Sequence, residues 1–306
     1  MSVDISIIII NWNTRDLLLQ CLSSIQKTVW DAIAYEVWVV DNASSDGSSA
    51  AVRERFPHTH LIQNRVNEGF AVANNRALEK MAGRYALLLN TDAELTPDAV
   101  RTLYTFMETH PHAAMACGQL LNPDGSKQNS IANFPSFPVL LFNETLLRIL
   151  FPRRFPSKRK DYKAPMEIES CIGACMMVRK SAMDQVGLLD ERYFFFLEET
   201  DWAYRMKRAG LNIYFVPSAR IFHAQGKSVK RRLDGRILFY RSRYAFFKKW
   251  RPRMYPLIGL IVFIRLCINI LLSAIALAST LGFKKDLNQR CKTYIRLFVW
   301  HLKGCP

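Results

Sequence analysis

Over its first two thirds the chain alternates short apolar runs with stretches of helical spacing. Residues 5–10 and 37–40 are near-continuous runs of Ile and Val, the pattern of strands covered on both faces. Between them, residues 15–27 set Leu18, Leu19, Leu22 and Ile25 on one helical face. Further strands are predicted at 60–63 and 85–89. Helices are predicted at 48–56, 69–81 and 97–110, the last with Pro97 in its first turn. This alternation predicts an α/β fold, a Rossmann-like, mostly parallel sheet with helices on both faces. No G-x-G-x-x-G follows the first strand, which argues against a standard dinucleotide fold. Residues 123–170 lose the regularity and carry PRRFPSKRKDYK at 152–163. They read as a flap beside a site, with an apolar helix near 137–150. Order returns with a strand at 171–178, a helix at 198–209 closed by Gly210, and strands at 212–216 and 220–223.

The run at 85–89 stops abruptly in Asn90-Thr91-Asp92-Ala93-Glu94. In open parallel sheets ligands bind beyond the C-terminal ends of strands. Two carboxylates at i and i+2 there can face the same way and offer oxygen ligands to a hard divalent cation. Taken alone, the stretch reads equally well as a loop whose acids face water.

Charge changes the picture because of where it sits. The 306-residue chain has a formal net charge of +16 and is half hydrophobic. Residues 1–226 hold 24 Lys/Arg and 24 Asp/Glu, whereas residues 227–306 hold 18 Lys/Arg against only Asp234 and Asp286. The expected organisation is a neutral catalytic domain at 1–230, including the 123–170 flap on the acceptor side, and a basic membrane-associating helical region at 231–306. That region contains LIGLIVFI at 257–264 and LCINILLSAIALASTLGF at 266–283. As a helix the second run would reach ~27 Å at ~1.5 Å per residue, close to a hydrocarbon core of roughly 30 Å. Arg265 interrupts the longer stretch, so a hairpin or an interfacial helix rivals a span. Residues 236–256 interleave cations with aromatics, which suits an anionic membrane interface. The same pattern can stack on single-stranded nucleic acid, but the adjoining apolar runs favour the membrane, and no nucleic-acid partner is expected. Seven scattered cysteines read as reduced cytosolic thiols. The N-terminal MSVDISIIIINWN has no basic signal-peptide n-region, so the body is expected on the cytosolic side.

Three further polar clusters sit at predicted element ends. Asp41 follows the second strand, where a carboxylate can accept from the imide N–H of a uracil or thymine base or simply form a turn. Glu198-Glu199-Thr200-Asp201 opens a helix; the macrodipole alone favours acids there, but three in four positions crowd one another. Crowding raises a carboxyl pKa, which suits a general base. His223 precedes Gly226, Lys227 and Ser228, which fits a metal and diphosphate cluster as well as a structural histidine.

In order along the chain come SIIIINWN (6–13), VVDNASSDGS (39–48), NEGFAVANN (67–75), LLLNTDAEL (87–95), GACMMVRK (173–180), FFFLEETDWAYR (194–205) and HAQGKS (223–228). This succession resembles the inverting family 2 glycosyltransferases of GT-A fold, and within them the bacterial rhamnosyltransferase-like branch, over about residues 3–245. Each motif is weak alone; seven in order are specific. The resemblance implies that Asn11, Asn13 and Asp41 bind the nucleoside. It implies that Asn67, Gly69, Phe70 and Asn74 line the nucleotide-sugar pocket, with Asn90, Thr91, Lys227 and Ser228 also on the donor. Asp92 becomes the metal-binding acid of a D-x-D motif, with Glu94 secondary and His223 completing a site for Mg2+ or Mn2+. Glu199 takes the general-base position, with Asp201 and Glu198 as alternates, and Gly173, Ala174 and Trp202 fall on the acceptor side. Two departures stand out. Asn90 replaces the first acid of D-x-D, and the base is Glu where Asp is usual.

The implied reaction is metal-dependent hexosyl transfer from a nucleotide-diphosphate sugar, best matched by dTDP-L-rhamnose. The implied acceptor is a polyprenyl-diphosphate-linked glycan of cell-surface polysaccharide synthesis, and the implied place is the cytoplasmic face of the bacterial inner membrane. The oligomeric state stays open. No protein nucleophile is needed, and none of the Ser, His or Cys groups suggests a triad. Two rivals remain. A nucleotidyltransferase would carry a basic Gly-rich loop after the first strand, which NWNTRD does not resemble. A membrane-bound nucleotide-sugar-binding adaptor with weak or lost chemistry would tolerate Asn90.

Overall fold

The computed structural model describes residues 2–141, 144–152, 154–156, 160–224, 232–279 and 285–304. Its apolar runs become strands where neighbours bury them on both sides. In chain order come β1 (Ile5–Asn11), α1 (Arg15–Gln26), β2 (Tyr35–Asp41), α2 (Ser48–Arg55), β3 (His60–Gln63), α3 (Phe70–Leu78) and β4 (Tyr85–Leu89). The four strands lie parallel in the order β3-β2-β1-β4. Alternate residues of β1 explain why it is apolar almost throughout. Ile5, Ile7 and Ile9 pack with Leu18 and Leu22 of α1, whereas Ile8 packs with Ala73 and Ala77 of α3 on the other face.

The chain continues through β5 (Ala93–Leu95), α4 (Ala99–Thr109), β6 (Ala113–Leu121), β7 (Ile131–Ala132), α5 (Phe137–Leu141) and α6 (Glu144–Leu150). Then follow β8 (Met166–Ile168), β9 (Ser170–Cys171), β10 (Cys175–Arg179), α7 (Lys180–Val186), α8 (Glu198–Arg208) and β11 (Asn212–His223). The sheet extends β4-β10-β6-β11-β5, with β8 also on β11; β7 and β9 form a separate pair. β10 runs antiparallel to both β4 and β6, and β11 runs parallel to β6. The two short strands expected at 212–216 and 220–223 are one strand with a register shift between Val216 and Arg220. The strand expected at 171–178 splits at Gly173 into β9 and β10. β6 escapes the sequence pattern because AAMACGQLL lacks the β-branched residues that mark its neighbours.

Cα packing divides the chain into two units, Met1–Phe134 with Ser157–Lys230, and Pro135–Pro156 with Arg231–Pro306. The segment expected as a single flap therefore divides, its residues 135–156 joining the C-terminal helices and the rest staying with the sheet. The second unit comprises α5, α6, α9 (Arg232–Trp250), a 3-10 turn at Pro252–Met254, α10 (Tyr255–Ser279) and α11 (Lys285–Leu302). Its core is Leu140, Tyr244, Phe247, Ile258, Val262, Leu266 and Leu297. Among the described residues, the helical stretch Pro252–Ser279 is the one long and apolar enough to cross a membrane.

The β11 shift brings the Ala219 carbonyl down onto Gly118 of β6, and a Cβ on Gly118 would meet that oxygen well inside contact distance. A backbone atom cannot step aside as a side chain can. Gly118→Ala should therefore lower stability by roughly 1–3 kcal/mol, the range for overpacked sites. Urea unfolding checks this through the midpoint; an unchanged midpoint would show that the strands can part there at no cost.

Candidate active site

Strand order reverses beside β1, which has β2 on one side and β4 on the other. Crevices at such points, beyond the C-terminal strand ends, are where open α/β sheets bind ligands. There Asn11 is fully buried, and its Nδ2 donates to Asp41 Oδ1 at 2.9 Å and to Ser44 Oγ at 3.0 Å. Asp41 Oδ2 accepts from the Ser49 hydroxyl at 2.8 Å and the Ser44 backbone N–H at 3.3 Å. Asn13 adopts φ 54°, a left-handed conformation that Asn tolerates, and its Oδ1 accepts from the Ser45 N–H at 2.8 Å. Thr14 bridges two motifs, donating to Asn11 Oδ1 at 2.8 Å and lying 3.0 Å from Thr91 Oγ1. The strand-end residues expected at the nucleoside are thus gathered into one network.

The next part is built on α3. Asn67 Oδ1 accepts from the Gly69 N–H at 3.0 Å, and the Asn42 side chain donates to the Gly69 carbonyl at 3.0 Å. Gly69 has φ +85°, and a Cβ there would lie 2.6 Å from the Phe194 carbonyl oxygen. Both facts demand glycine. The same carbonyl accepts from the Phe70 N–H at 2.7 Å, so the loop entering α8 docks on the start of α3. Asn75 reinforces the contact through Leu189, donating to its carbonyl and accepting from its N–H. Asn74 is fully buried; its Nδ2 donates to the Phe70 carbonyl and its Oδ1 has no partner.

Asp92 and His223 meet although 131 residues separate them. The antiparallel register of β5 and β11 sets His223 opposite Ala93, next to Asp92, and the Asp92 carbonyl accepts from the Ala224 N–H at 2.8 Å. Both side chains are buried, and Asp92 Oδ1 lies 3.3 Å from His223 Nε2. That oxygen nonetheless makes no hydrogen bond: the two atoms approach without donor geometry. The reason lies on the other side of the ring. His223 Nδ1 is 2.9 Å from Gln128 Oε1, while Gln128 Nε2 donates to the carbonyl of His223 and to Asn122 Oδ1. With its amide nitrogen engaged twice, Gln128 presents an oxygen, so Nδ1 carries the hydrogen and Nε2 keeps its lone pair. An imidazole lone pair facing an unsatisfied, buried carboxylate oxygen is a donor pair for a divalent cation, with Gln128 orienting the ring. Glu94 stays apart from this pair. It is exposed and opposite Phe222, so it shares that residue's face rather than the one of His223. Among the described residues no group of three His, Cys, Asp or Glu could hold a metal, so further ligands would have to come from substrate or water.

α8 begins after two consecutive left-handed non-glycine residues, Phe196 at φ 72° and Leu197 at φ 65°. Such backbone is costly and persists only where surroundings impose it. It presses Glu198 and Glu199 together. Burial pushes the Glu198 carboxyl well up, the neighbouring Glu199 charge adds to this, and Glu198 Oε2 has no partner. Burial also raises Glu199, against hydrogen bonds from backbone N–H groups and from the Thr200 hydroxyl at 3.1 Å. Glu199 is only partly covered, and Gly173 lies over it, with the Cβ direction 3.5 Å from Glu199 Cγ. Ala174, next in the turn, accepts from the Asn90 N–H at 2.9 Å, which ties this turn to the Asn90–Asp92 stretch. Asp201 is committed elsewhere, to Arg205 at 3.1 Å and the Tyr193 hydroxyl at 3.2 Å. Trp202 is wholly buried with Nε1 on the Gly187 carbonyl, so it braces the core and offers no face to an acceptor. Lys227 and Ser228 lie outside the described residues.

Gln128, Thr14, Ser44 and Ser49 belong to the site but carry no sequence signal of their own. Gln128 lies in what reads as irregular flap, and only its position against β11 reveals it.

Residues 6–187 match the family model described as glycosyl transferase family 2. An N-acetylglucosaminyl-diphospho-decaprenol L-rhamnosyltransferase of Mycobacterium tuberculosis is 30% identical over 210 residues, covering 64% of this chain and 68% of the relative. The dTDP-rhamnosyl transferase RfbF of Shigella flexneri is 24% identical, over 75% of this chain and 72% of its own length. Among solved structures, the mannosyltransferase PcManGT of Pyrobaculum calidifontis, in complex with GDP-Man and Mn2+, superposes with a TM-score of 0.59 at 16% identity. It covers 99% of this chain and 88% of its own. That likeness shows the GT-A fold.

The Glu198–Glu199 pair has a pH signature. A carboxyl whose pKa is raised on folding favours the folded state at pH below its unfolded value. That advantage fades as pH rises through the raised folded value. Glu198→Gln removes the ionisation cost while keeping the shape. Its melting temperature should therefore gain on the wild type progressively between pH 5 and pH 8. A difference that stays constant or shrinks over that range would show the pair ionises freely.

Proposed function

The chain belongs to glycosyl transferase family 2, and we propose that it moves L-rhamnose from dTDP-rhamnose to a polyprenyl-diphosphate-linked glycan, with inversion. The relatives' names, one for a diphospho-decaprenol acceptor and one for a dTDP-rhamnosyl donor, support this choice of substrates. So does the site. The observation that carries the proposal is the convergence, on one sheet edge, of the Asn11–Asp41 network, the Asp92–His223 pair and the raised Glu199.

In this reading residues 1–230 perform the transfer and residues 231–306 hold an anionic membrane at the cytoplasmic face of the bacterial inner membrane. Asp41 and Asn11 hold the base, and Gly69 leaves room for the donor beside Phe70. Asp92 and His223 would hold Mg2+ or Mn2+, which when bound supplies charge neutralisation to the departing diphosphate. Glu199, raised by burial but partly open beside Gly173, takes the proton from the acceptor hydroxyl as that oxygen displaces the nucleotide. Asp201 holds Arg205, which in turn donates to the Val186, Gly187 and Leu188 carbonyls, and so positions the start of α8. Glu198 raises its neighbour. Asn90 at the first D-x-D position favours one other reading, a nucleotide-sugar-binding adaptor without turnover.

Full-length protein given dTDP-rhamnose, a polyprenyl-diphosphate-N-acetylglucosamine acceptor and Mg2+ or Mn2+ should form an inverted linkage. Glu199→Gln should lower kcat by about 10²–10⁴-fold, the usual contribution of a general base, with little change in donor KM. Turnover in Glu199→Gln within twofold of wild type would remove Glu199 from the chemistry. Donor binding by the wild type with no transfer to any lipid-linked acceptor would leave the adaptor reading standing.

A further inference from the structure

We infer that α10 does not cross a membrane: α10 and α11 form a hairpin that enters one leaflet of an anionic bilayer and returns. The inference rests on the membrane reading above and says what form that attachment takes.

By length alone α10 is a candidate span. Its pattern of burial divides it in two. Ile258, Val262 and Leu266, spaced by four, are buried in the helical core, and beyond Leu266 no residue of α10 is buried. The dividing residue is Arg265. Its guanidinium donates to the Leu140 carbonyl at 2.7 Å and the Val139 carbonyl at 3.3 Å, at the C-terminal end of α5. Carbonyls at a helix C-terminus carry partial negative charge, so the cation is well placed.

That contact fixes the depth of α10. The segment 135–156 that supplies α5 begins and ends in the sheet-bearing unit. It consists of short helices and turns, and such backbone does not lie exposed to lipid within the hydrocarbon. Its exposed Leu146, Ile149, Leu150 and Phe151 suit the boundary between headgroups and acyl chains instead. Arg265 must sit at that same level. The helix beyond it, residues 266–279, reaches only ~21 Å at ~1.5 Å per residue, short of the roughly 30 Å of a hydrocarbon core.

α11 supports the same geometry. It packs back on α10, with the Phe298 ring 5.3 Å from Phe263 and Leu297 in the same core as Leu266. Its exposed Ile295, Val299 and Leu302 form an apolar stripe, and exposed Lys292, Arg296 and Lys303 flank it. A span by α10 would carry these cations into hydrocarbon. A hairpin that dips and returns lets them reach lipid phosphates while the stripe meets acyl chains. Exposed Ile268, Leu271, Leu272 and Ile275 make up the deepest part. The excess of Lys and Arg over acids in residues 227–306, 18 against 2, fits an anionic leaflet.

The test is a depth profile on the full chain in phosphatidylglycerol–phosphatidylethanolamine vesicles. Cys267, Cys291 and Cys305 are replaced by serine. A single environment-sensitive dye is then placed at Leu260→Cys, Ile268→Cys or Ile275→Cys, all exposed positions, and quenched by lipids spin-labelled near the headgroup or deep in the acyl chain. The deep-to-shallow quenching ratio should rise steadily from 260 through 268 to 275. A maximum at 268, with 260 and 275 both shallow, means α10 crosses, and overturns the inference while sparing the membrane reading. A uniformly shallow profile on bound protein means the hairpin lies flat and overturns it likewise. No vesicle binding at all would overturn the membrane reading and this inference together.

Discussion

The hydrogen bond from His223 Nδ1–H to Gln128 Oε1 settles what the sheet edge can do. Without it the imidazole could turn its N–H toward Asp92 and form an ordinary buried ion pair. With it, Nε2 faces Asp92 Oδ1 at 3.3 Å as a second electron-pair donor, and the carboxylate oxygen goes unsatisfied. A buried acceptor left in that state costs free energy, so the fold holds a site whose missing partner is a cation. Gln128 can play this part because its nitrogen is already engaged by Asn122 and by the His223 carbonyl. A chain of backbone contacts runs on from there through Ser130 and Ile172 to the Gly173 turn over Glu199. Metal pair and base are thus braced by one network.

Much of this was legible in the chain. The apolar runs of β1, β2 and β4 mark strands buried on both faces, and polar residues at their ends mark a ligand crevice. Asn11, Asp41, Gly69 and Asp92 were readable because strand ends concentrate such groups. Their partners were not. Gln128, Ser44, Ser49 and Thr14 are ordinary polar residues until the register of β5 on β11 and the approach of β1 to β2 place them. β6 was hidden by its small residues. The i,i+2 rule that grouped Glu94 with Asp92 failed because β5 begins between them, and its pairing with β11 turns Glu94 to the face of Phe222. Three acids opening α8 looked interchangeable, yet burial and ion pairing separate them. Asp201 is locked to Arg205, Glu198 is sealed in, and Glu199 alone is partly open.

The C-terminal region shows the same limit from another side. Composition announces a cationic, apolar appendage, and a hydropathy window finds a span-length helix. What composition cannot show is that Arg265 is held by carbonyls from residues more than a hundred positions earlier, or that residues 135–156 belong to the helical unit. One long-range contact changes the meaning of the helix from a span to the arm of a hairpin.

The central claim is that Asp92 and His223 form a metal-holding pair because Gln128 fixes the tautomer. The most direct measurement is isothermal titration of Mn2+ into full-length protein saturated with dTDP, comparing wild type with Gln128→Leu at equal thermal stability. The account predicts a 10–100-fold weaker Mn2+ affinity in the variant, the usual cost of losing a group that orients a metal ligand. Equal affinity in the two proteins would contradict it, because His223 would then need no orienting partner.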